Sequence, residues 1–223
     1  MAEDRVQKPQ NPQPGINLGD GLAWLASQPD NSLDGIFTDP PWGVTSVQIA
    51  GQDSWRGLLA ILLREGARVV RPDGHLLIWY SQNQLDTFLR FLFTLPGIEL
   101  YLNALMVIQH GGSVMIPLDF IFCLGRRHRT LKLHSWVLTA DTFREGDRLH
   151  PAERPQNVVT RVLREWFRPG QKICDPFAGS NTAGWAAKRI GIDCYSFEIN
   201  ADMFQTALER EKQLDLFAEE AKK

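Results

Sequence analysis

Short apolar runs of strand length alternate with longer stretches of helical periodicity along this chain. The strand-like runs are residues 16–20, 33–38, 75–80, 100–108, 118–124, 171–175 and 192–197. The stretches with apolar residues at helical spacing are 22–27, 55–70, 84–94, 158–167 and 201–217. Strands that alternate with helices in this way predict an α/β fold, with a mostly parallel central sheet and helices on both faces.

The same pattern predicts one domain with short polar ends. Residues 1–15 are polar and rich in proline, which is typical of a flexible leader. The domain is expected to span residues 16–217, and residues 218–223 form a charged tail. The chain has 223 residues, of which 43% are hydrophobic and 22% charged, and this composition suits one compact α/β domain.

The segment Thr38 to Gly43 carries the strongest candidate chemistry. An apolar run leads into Asp39, two prolines and Trp42. Neither proline offers an N–H and each fixes its own φ, so the strand should end here with Asp39 at its carboxyl tip. Ligands of open α/β sheets bind at that edge. An acid, a rigid backbone carbonyl and a flat aromatic ring indicate a binding site for a planar amine, such as the amino edge of a nucleobase. A plain chain corner is the alternative at this point.

Residues 171–200 predict a βαβ unit that binds a nucleotide-like ligand. A strand ends in Asp175, a turn follows at Gly179, a helix opens near Thr182, and a second strand ends in Glu198. Glu198 lies about 20 residues beyond the glycine loop, the spacing at which a carboxylate meets a ribose in such units. A βαβ turn without a nucleotide is the less favoured alternative.

Three segments together resemble the amino-group DNA methyltransferases of the circularly permuted β class. Asp39-Pro40-Pro41-Trp42 resembles their catalytic motif, and Asp175-Pro176-Phe177-Ala178-Gly179-Ser180-Asn181-Thr182 resembles their cofactor loop. His150-Pro151-Ala152-Glu153-Arg154-Pro155 is similar to the family's His-Pro-Thr-x-Lys-Pro. The order of these motifs, with the catalytic motif first and the cofactor loop last, assigns the class. The resemblance covers residues 16 to about 208.

The resemblance implies a single Rossmann-like methyltransferase domain with a circularly permuted motif order. It implies transfer of a methyl group from S-adenosylmethionine (SAM) to the exocyclic amine of a flipped base in double-stranded DNA, which leaves S-adenosylhomocysteine. The implied catalytic residues are Asp39, Pro40, Pro41 and Trp42. Asp39 and the carbonyl of Pro40 would accept hydrogen bonds from the amine, and Trp42 would stack on the base. An aspartate at the first motif position favours adenine N6 over cytosine N4.

The cofactor-binding residues that the resemblance implies come from distant parts of the chain. They are Asp20, His150, Pro151, Arg154, Asp175, Phe177, Ala178, Gly179, Ser180, Asn181, Thr182 and Glu198. Glu198 is expected to hold the ribose hydroxyls. The permuted strand order makes Asp20 the candidate for the adenine end of the cofactor. A second role for Asp20, as the cap of the following helix, does not exclude the first.

The chain departs from the family pattern within the two cofactor motifs. His150 and Pro151 are expected beside the methionine moiety. Arg154 stands in place of the usual lysine and would either attract the methionine carboxylate or pair with a surface glutamate. Asn181 stands where glycine is commoner, and asparagine tolerates a left-handed turn.

The densest basic stretch is Arg126, Arg127, Arg129 and Lys132, directly after an apolar strand. A loop that contacts DNA phosphates and a solvated hairpin turn are equally weighted interpretations. The net charge of −2 is unusual for a protein that grips DNA. Residues 98–149 include a small candidate target-recognition region. Its size suggests a short or degenerate target, or recognition shared across a homodimer.

Other features narrow the function further. Three cysteines without CxxC spacing are expected to be small core residues in a reducing compartment. The five histidines offer no ligand-spaced pair, so no metal is expected.

No apolar run has the length of a membrane span, and a cytoplasmic protein is expected. Two rival classes stay open: an RNA or protein-amide methyltransferase with the same site, and a non-catalytic relative. The sequence does not say whether a restriction partner exists.

Overall fold

A computed structural model of the chain describes residues 12–41, 55–81, 85–110, 118–128, 137–140 and 154–220. The strands are β1 (Gly15–Leu18), β2 (Leu33–Thr38), β3 (Val70–Ser81), β4 (Tyr101–His110), β5 (Leu118–Gly125), β6 (Val137–Ala140), β7 (Lys172–Asp175) and β8 (Asp193–Glu198). The helices are α1 (Gly21–Ser27), α2 (Trp55–Val69), α3 (Leu85–Thr94), α4 (Gln156–Trp166), α5 (Thr182–Arg189) and α6 (Ala201–Glu220). The last helix continues beyond the domain end predicted at residue 217.

These strands form one sheet in the order β1-β8-β7-β2-β3-β5-β4-β6. All neighbours from β1 to β3 are parallel. In contrast, β5 runs antiparallel to both β3 and β4, and β6 runs parallel to β4. The predicted α/β fold with a mostly parallel sheet is confirmed, with a local antiparallel ladder on one side.

Successive residues of the central strands enter two hydrophobic layers, one on each face of the sheet. Phe37 and Leu77 pack with buried residues of α4 and α5 in the first layer. Their chain neighbours Ile36 and Leu76 pack with α1, α2 and α3 in the second layer. This alternation follows from the two-residue period of a strand. Helices therefore cover both faces, as predicted.

The turn predicted over Pro72 to Gly74 is a bulge inside β3. This strand begins at Val70, and its register with β2 shifts between Leu33 and Gly35. Proline has no N–H to donate to the ladder, so the strand leaves the ladder here and pairing resumes beyond it. The four-residue strand β6 was not predicted, because so short a run carries little periodicity.

One edge of the sheet collects acidic residues. Asp39, Asp175 and Glu198 stand at the carboxyl ends of β2, β7 and β8, which are mutually parallel neighbours. The antiparallel strand β5 begins at this same edge, because Asp119 pairs with Ser81 at the end of β3. Strand direction alone therefore assembles carboxylates from four separate parts of the chain.

Candidate functional site

A cavity of about 180 Å³ opens at the acidic edge of the sheet. Its lining residues are Phe37, Asp39, Trp79, Arg154, Val159, Asp175, Phe177, Ala178, Gly179, Ser180, Thr182, Ala183 and Met203. Asp39 from the first motif thus shares one cavity with the loop that follows β7. Two segments that the sequence singled out separately form a single site.

Arg154, in the wall of the cavity, binds two carboxylates. Its Nε donates to Oδ2 of Asp39 at 2.6 Å, and its Nη1 donates to Oδ2 of Asp119 at 2.8 Å. Burial disfavours the cation, but the charge of Asp39, the hydrogen bond to Asp39 and the charge of Asp119 outweigh burial, so the pKa of Arg154 is raised. Arg154 is therefore a fixed cation between two carboxylates of the protein, and its contact with the methionine carboxylate stays a prediction.

Asp119 and Trp79 belong to the site but were missed from the sequence. Nε1 of Trp79 donates to Oδ2 of Asp119 at 2.9 Å, and the Trp79 ring centre lies 5.0 Å from Cζ of Arg154. Both side chains are buried. The available signal was an acid inside the otherwise apolar run of β5, because a buried carboxylate needs hydrogen-bond partners.

Asp175 is buried at the end of β7. Its Oδ1 accepts hydrogen bonds from Oγ1 of Thr38 at 2.7 Å and from the backbone N–H of Phe177 at 3.1 Å. Burial raises the pKa of Asp175 to about 7. The two hydrogen bonds lower this pKa, whereas the negative charges of Asp39 and Glu198 raise it further. The carboxyl group therefore keeps its proton to a much higher pH than an exposed aspartate does.

Replacing Asp175 by asparagine should remove a pH dependence of folding stability. An aspartate ionises near pH 3.8 in the unfolded chain and near pH 7 in this fold. Unfolding therefore releases a proton between these values, and the wild-type protein loses stability as the pH rises through them. Asparagine keeps an acceptor for Thr38 and Phe177 but cannot ionise. We expect the unfolding free energy of Asp175→Asn relative to wild type to rise by on the order of 2 kcal/mol from pH 5 to pH 8.

Urea unfolding of both proteins at the two pH values measures this difference. Cys174 and Cys194 are the neighbouring buried thiols, and burial raises the pKa of each. Both ionise above this pH range and do not disturb the comparison. An equal stability difference at the two pH values would contradict the buried, partly protonated state of Asp175.

The loop after β7 turns toward Glu198. Gly179 has φ +52, and its N–H donates to Oε2 of Glu198 at 3.0 Å. A Cβ at Gly179 would meet no atom within 4 Å, so this side of the loop faces open space. Burial raises the pKa of Glu198, although backbone N–H groups of Asn200 and Gly179 oppose the shift. Asn181 opens α5 at φ 60, the left-handed conformation expected for asparagine here.

Asp20 caps α1, and the preceding residue, Gly19, donates its N–H to the carbonyl of Glu198 at 2.9 Å. Oδ1 of Asp20 accepts from the N–H groups of Leu22 and Ala23 at 2.9 and 3.1 Å, which confirms the cap. Leu18 lies opposite Glu198 in the β1–β8 register, and its side chain is 46% exposed. The contact of Asp20 with adenine stays a prediction, and this capping role leaves it open.

The basic stretch begins at the opposite edge of the sheet. Because β5 is antiparallel to β3, Arg126 and Arg127 follow its end near the start of β3, away from the cavity. Nη1 of Arg126 donates to Oδ1 of Asn31 at 2.5 Å and to the carbonyl of Val70 at 3.3 Å. Arg127 is exposed. Their contact with DNA stays a prediction.

Several other predicted site residues fall outside the described ranges: Trp42, Arg129, Lys132, His150 and Pro151. Pro40 and Pro41 are described, and Pro40 is buried. Within the part of the chain that the structure describes, no three His, Cys, Asp or Glu side chains are grouped to hold a metal ion. None of the described helices is both long and apolar enough to span a membrane.

Comparison with known proteins finds similar features in DNA methyltransferases. A model of the N6 and N4 methyltransferases, described as DNA methylase, matches residues 125–209, which include the loop after β7 and Glu198. The DNA adenine methyltransferase YhdJ of Escherichia coli (strain K12) is 24% identical over 236 residues. That match covers 86% of this chain and 80% of YhdJ.

Solved structures share the fold at low sequence identity. The cytosine-N4-specific PvuII DNA methyltransferase has a TM-score of 0.71 and 16% identity, and the match covers 91% of this chain and 88% of that one. The M1.HpyAVI–SAM complex has a TM-score of 0.63 and 17% identity, covering 88% of this chain and 98% of that one. The Rossmann-like methyltransferase fold is confirmed. The family model over residues 125–209 and these relatives show that the chain is similar to the amino-group DNA methyltransferases.

Proposed function

We propose that this protein transfers a methyl group from SAM to the exocyclic amine of a base in double-stranded DNA. The observation that carries the proposal is the shared cavity, in which Asp39 lies on one wall and the loop from Phe177 to Thr182 on another. Methyl transfer without an enzyme-bound intermediate requires the donor and the acceptor to lie side by side in one site. The cavity provides that arrangement.

The cofactor side has the features that SAM requires. Gly179 leaves the loop open toward a ligand, and Glu198 offers a carboxylate beside it for ribose hydroxyls. Leu18 and Ile199 present apolar surface next to Glu198, with 46% and 41% of their area exposed, which suits a flat adenine ring. The solved M1.HpyAVI relative is a complex with SAM. Bound there, SAM would supply a methyl group on an electrophilic sulfonium.

The target side holds the amine for attack. Asp39 accepts a hydrogen bond from the exocyclic amine and the carbonyl of Pro40 accepts the other, which frees the nitrogen lone pair. Trp42 stacks on the base. The nitrogen would accept the methyl group that SAM supplies, with S-adenosylhomocysteine as the leaving group, and its surplus proton would pass to Asp39 or to water. Since Asp39 lines a cavity, the base must leave the duplex stack to reach it.

The contacts of Arg154 favour a role at the target side. The guanidinium is bound to Asp39 and Asp119. This support is stronger than that for the predicted contact with the methionine carboxylate. Target recognition by residues 98–149, alone or across a homodimer, remains part of the proposal.

Adenine N6 is the proposed acceptor. An aspartate at the first motif position favours it, and the relative YhdJ is a DNA adenine methyltransferase. Cytosine N4 is the second candidate, because the PvuII enzyme of the same fold is cytosine-N4-specific. Both amines offer the same planar geometry to Asp39.

Methyl transfer from labelled SAM to unmethylated duplex DNA, followed by mass spectrometry of the nucleosides, tests the proposal. N6-methyladenine supports it fully, and N4-methylcytosine keeps the chemistry but corrects the base. Label in RNA or protein but not in DNA would overturn the substrate assignment. Binding of SAM without transfer to any of these would favour a non-catalytic relative.

A further inference from the structure

We infer that Asp119 is a positioning residue for the transfer, and that it acts by fixing Arg154, which in turn fixes the carboxylate of Asp39. The inference rests on the proposed function, in which Asp39 holds the target amine. None of the three sequence motifs contains Asp119. Its role follows from the contacts that the strand register creates.

The geometry forms a continuous chain of charge-assisted hydrogen bonds. Oδ2 of Asp119 accepts from Nη1 of Arg154 at 2.8 Å, and Nε of the same guanidinium donates to Oδ2 of Asp39 at 2.6 Å. The guanidinium is planar, so binding one carboxylate at Nη1 sets the direction in which Nε points. Asp119 therefore determines where the donor to Asp39 lies.

Asp119, at one end of this series of hydrogen bonds, lies on a rigid strand. Asp39, at the other end, is not held by secondary structure. Asp119 lies in β5, and Trp79, which donates to it at 2.9 Å, lies in the adjacent strand β3. The Trp79 ring also packs 5.0 Å from Cζ of Arg154. Asp39, in contrast, follows the end of β2. A catalytic group is held most precisely when a second group on a rigid element supports it.

The charges explain why the anchor should be a carboxylate. An arginine side chain has several rotatable bonds and loses conformational entropy when it is fixed. With only Asp39 as a charged partner, the guanidinium could follow that carboxylate into more than one position. The side chain of Asp119 is 10% exposed, so its charge is weakly screened and holds Arg154 strongly. The two acids flank one cation and are prevented from repelling each other.

Replacing Asp119 by asparagine removes the charge and keeps the shape and an acceptor for Trp79. We expect kcat for DNA methylation to fall about ten- to a hundredfold, while the Kd for SAM, measured by calorimetry, changes less than about twofold. Asp86→Asn is the matched control, because Asp86 is an exposed acid paired with Arg90 on α3 and should leave kcat unchanged. An unchanged kcat in Asp119→Asn, with active wild-type enzyme, would overturn the inference.

The effect of Asp119→Asn should largely disappear when Arg154 is absent. In an Arg154→Met background, the guanidinium that connects Asp119 to Asp39 has been removed. Asp119→Asn should then change kcat by less than about twofold, whereas a merely structural role would lower kcat in both backgrounds. A further loss in the Arg154→Met background would count against action through Arg154.

A readout without turnover separates this inference from the proposed function. The Nε–H signal of Arg154 in the nitrogen-15 NMR spectrum is assigned by its loss in Arg154→Met. We expect slow exchange of this proton with water in the wild type and at least about tenfold faster exchange in Asp119→Asn. Equal exchange rates in the two proteins would overturn the positioning role of Asp119, whether or not the wild type transfers a methyl group. Absence of methyl transfer by the wild type would contradict only the proposed function.

Discussion

Replacing Asp39 by alanine should abolish methyl transfer while SAM binding stays within a few-fold of wild type. The variant removes the acceptor for the target amine, and loss of one such catalytic contact commonly lowers kcat by about 10²- to 10³-fold. Arg154 retains Asp119 as a partner, so the half-buried cation is not left unpaired. The cofactor loop contacts Glu198 and does not depend on Asp39. Single-turnover transfer to DNA, together with calorimetry of SAM binding, gives both quantities.

Asp39→Asn is the matched variant for this experiment. It has the same shape and keeps one acceptor oxygen, so it should retain more activity than the alanine variant. Turnover at the wild-type rate by Asp39→Ala would remove Asp39 from the mechanism. A parallel loss of SAM binding would instead indicate that the variant had damaged the whole cavity.

Replacing Glu198 by alanine should weaken SAM binding by about 100-fold. The carboxylate accepts from Gly179 and from Asn200 at 3.0 and 2.8 Å, so its loss also frees two loop donors. Hydrogen bonds to a charged group stabilise a complex by about 1.5–3 kcal/mol, which corresponds to about ten- to a hundredfold in Kd. Glu198→Gln keeps acceptor capacity without the charge and should fall between alanine and wild type.

Asp193→Asn is the control for Glu198. It removes an acid from the same strand but at its start, away from the acidic edge. The Kd for SAM should stay at the wild-type value in this variant. Equal affinity in Glu198→Ala and wild type would exclude Glu198 from the cofactor site, and the ribose contact would then need another residue.

The sequence predicted those parts of the site that local chemistry determines. The strand β2 ends at Thr38, directly before Asp39 and the two prolines, and Gly179 has a positive φ in the loop. The cap by Asp20 followed in the same way, since an acid before a helix accepts its first N–H groups. Each of these features depends on residues that are close in sequence.

The remaining features depend on how distant strands pair. Arg154 meets an acid 115 residues earlier in the chain and another 35 residues earlier, and neither contact has a local signature. The reversal of β5 brings Asp119 to Arg154 and places Arg126 at the opposite edge of the sheet. A pattern of apolar residues identifies a strand but not the direction in which it runs, so neither location could be predicted.

The pairing of β1 with β8 has a consequence for biosynthesis. Asn17 donates to the carbonyl of Ser196 at 3.2 Å across a separation of 179 residues. Contacts of such long range close a large loop and form late in folding. During synthesis, β1 leaves the ribosome long before its partner β8, the strand that ends in Glu198. The wall that we assign to SAM is therefore the last part of the cavity to be built, so a growing chain that already exposes Asp39 has no means yet of using it.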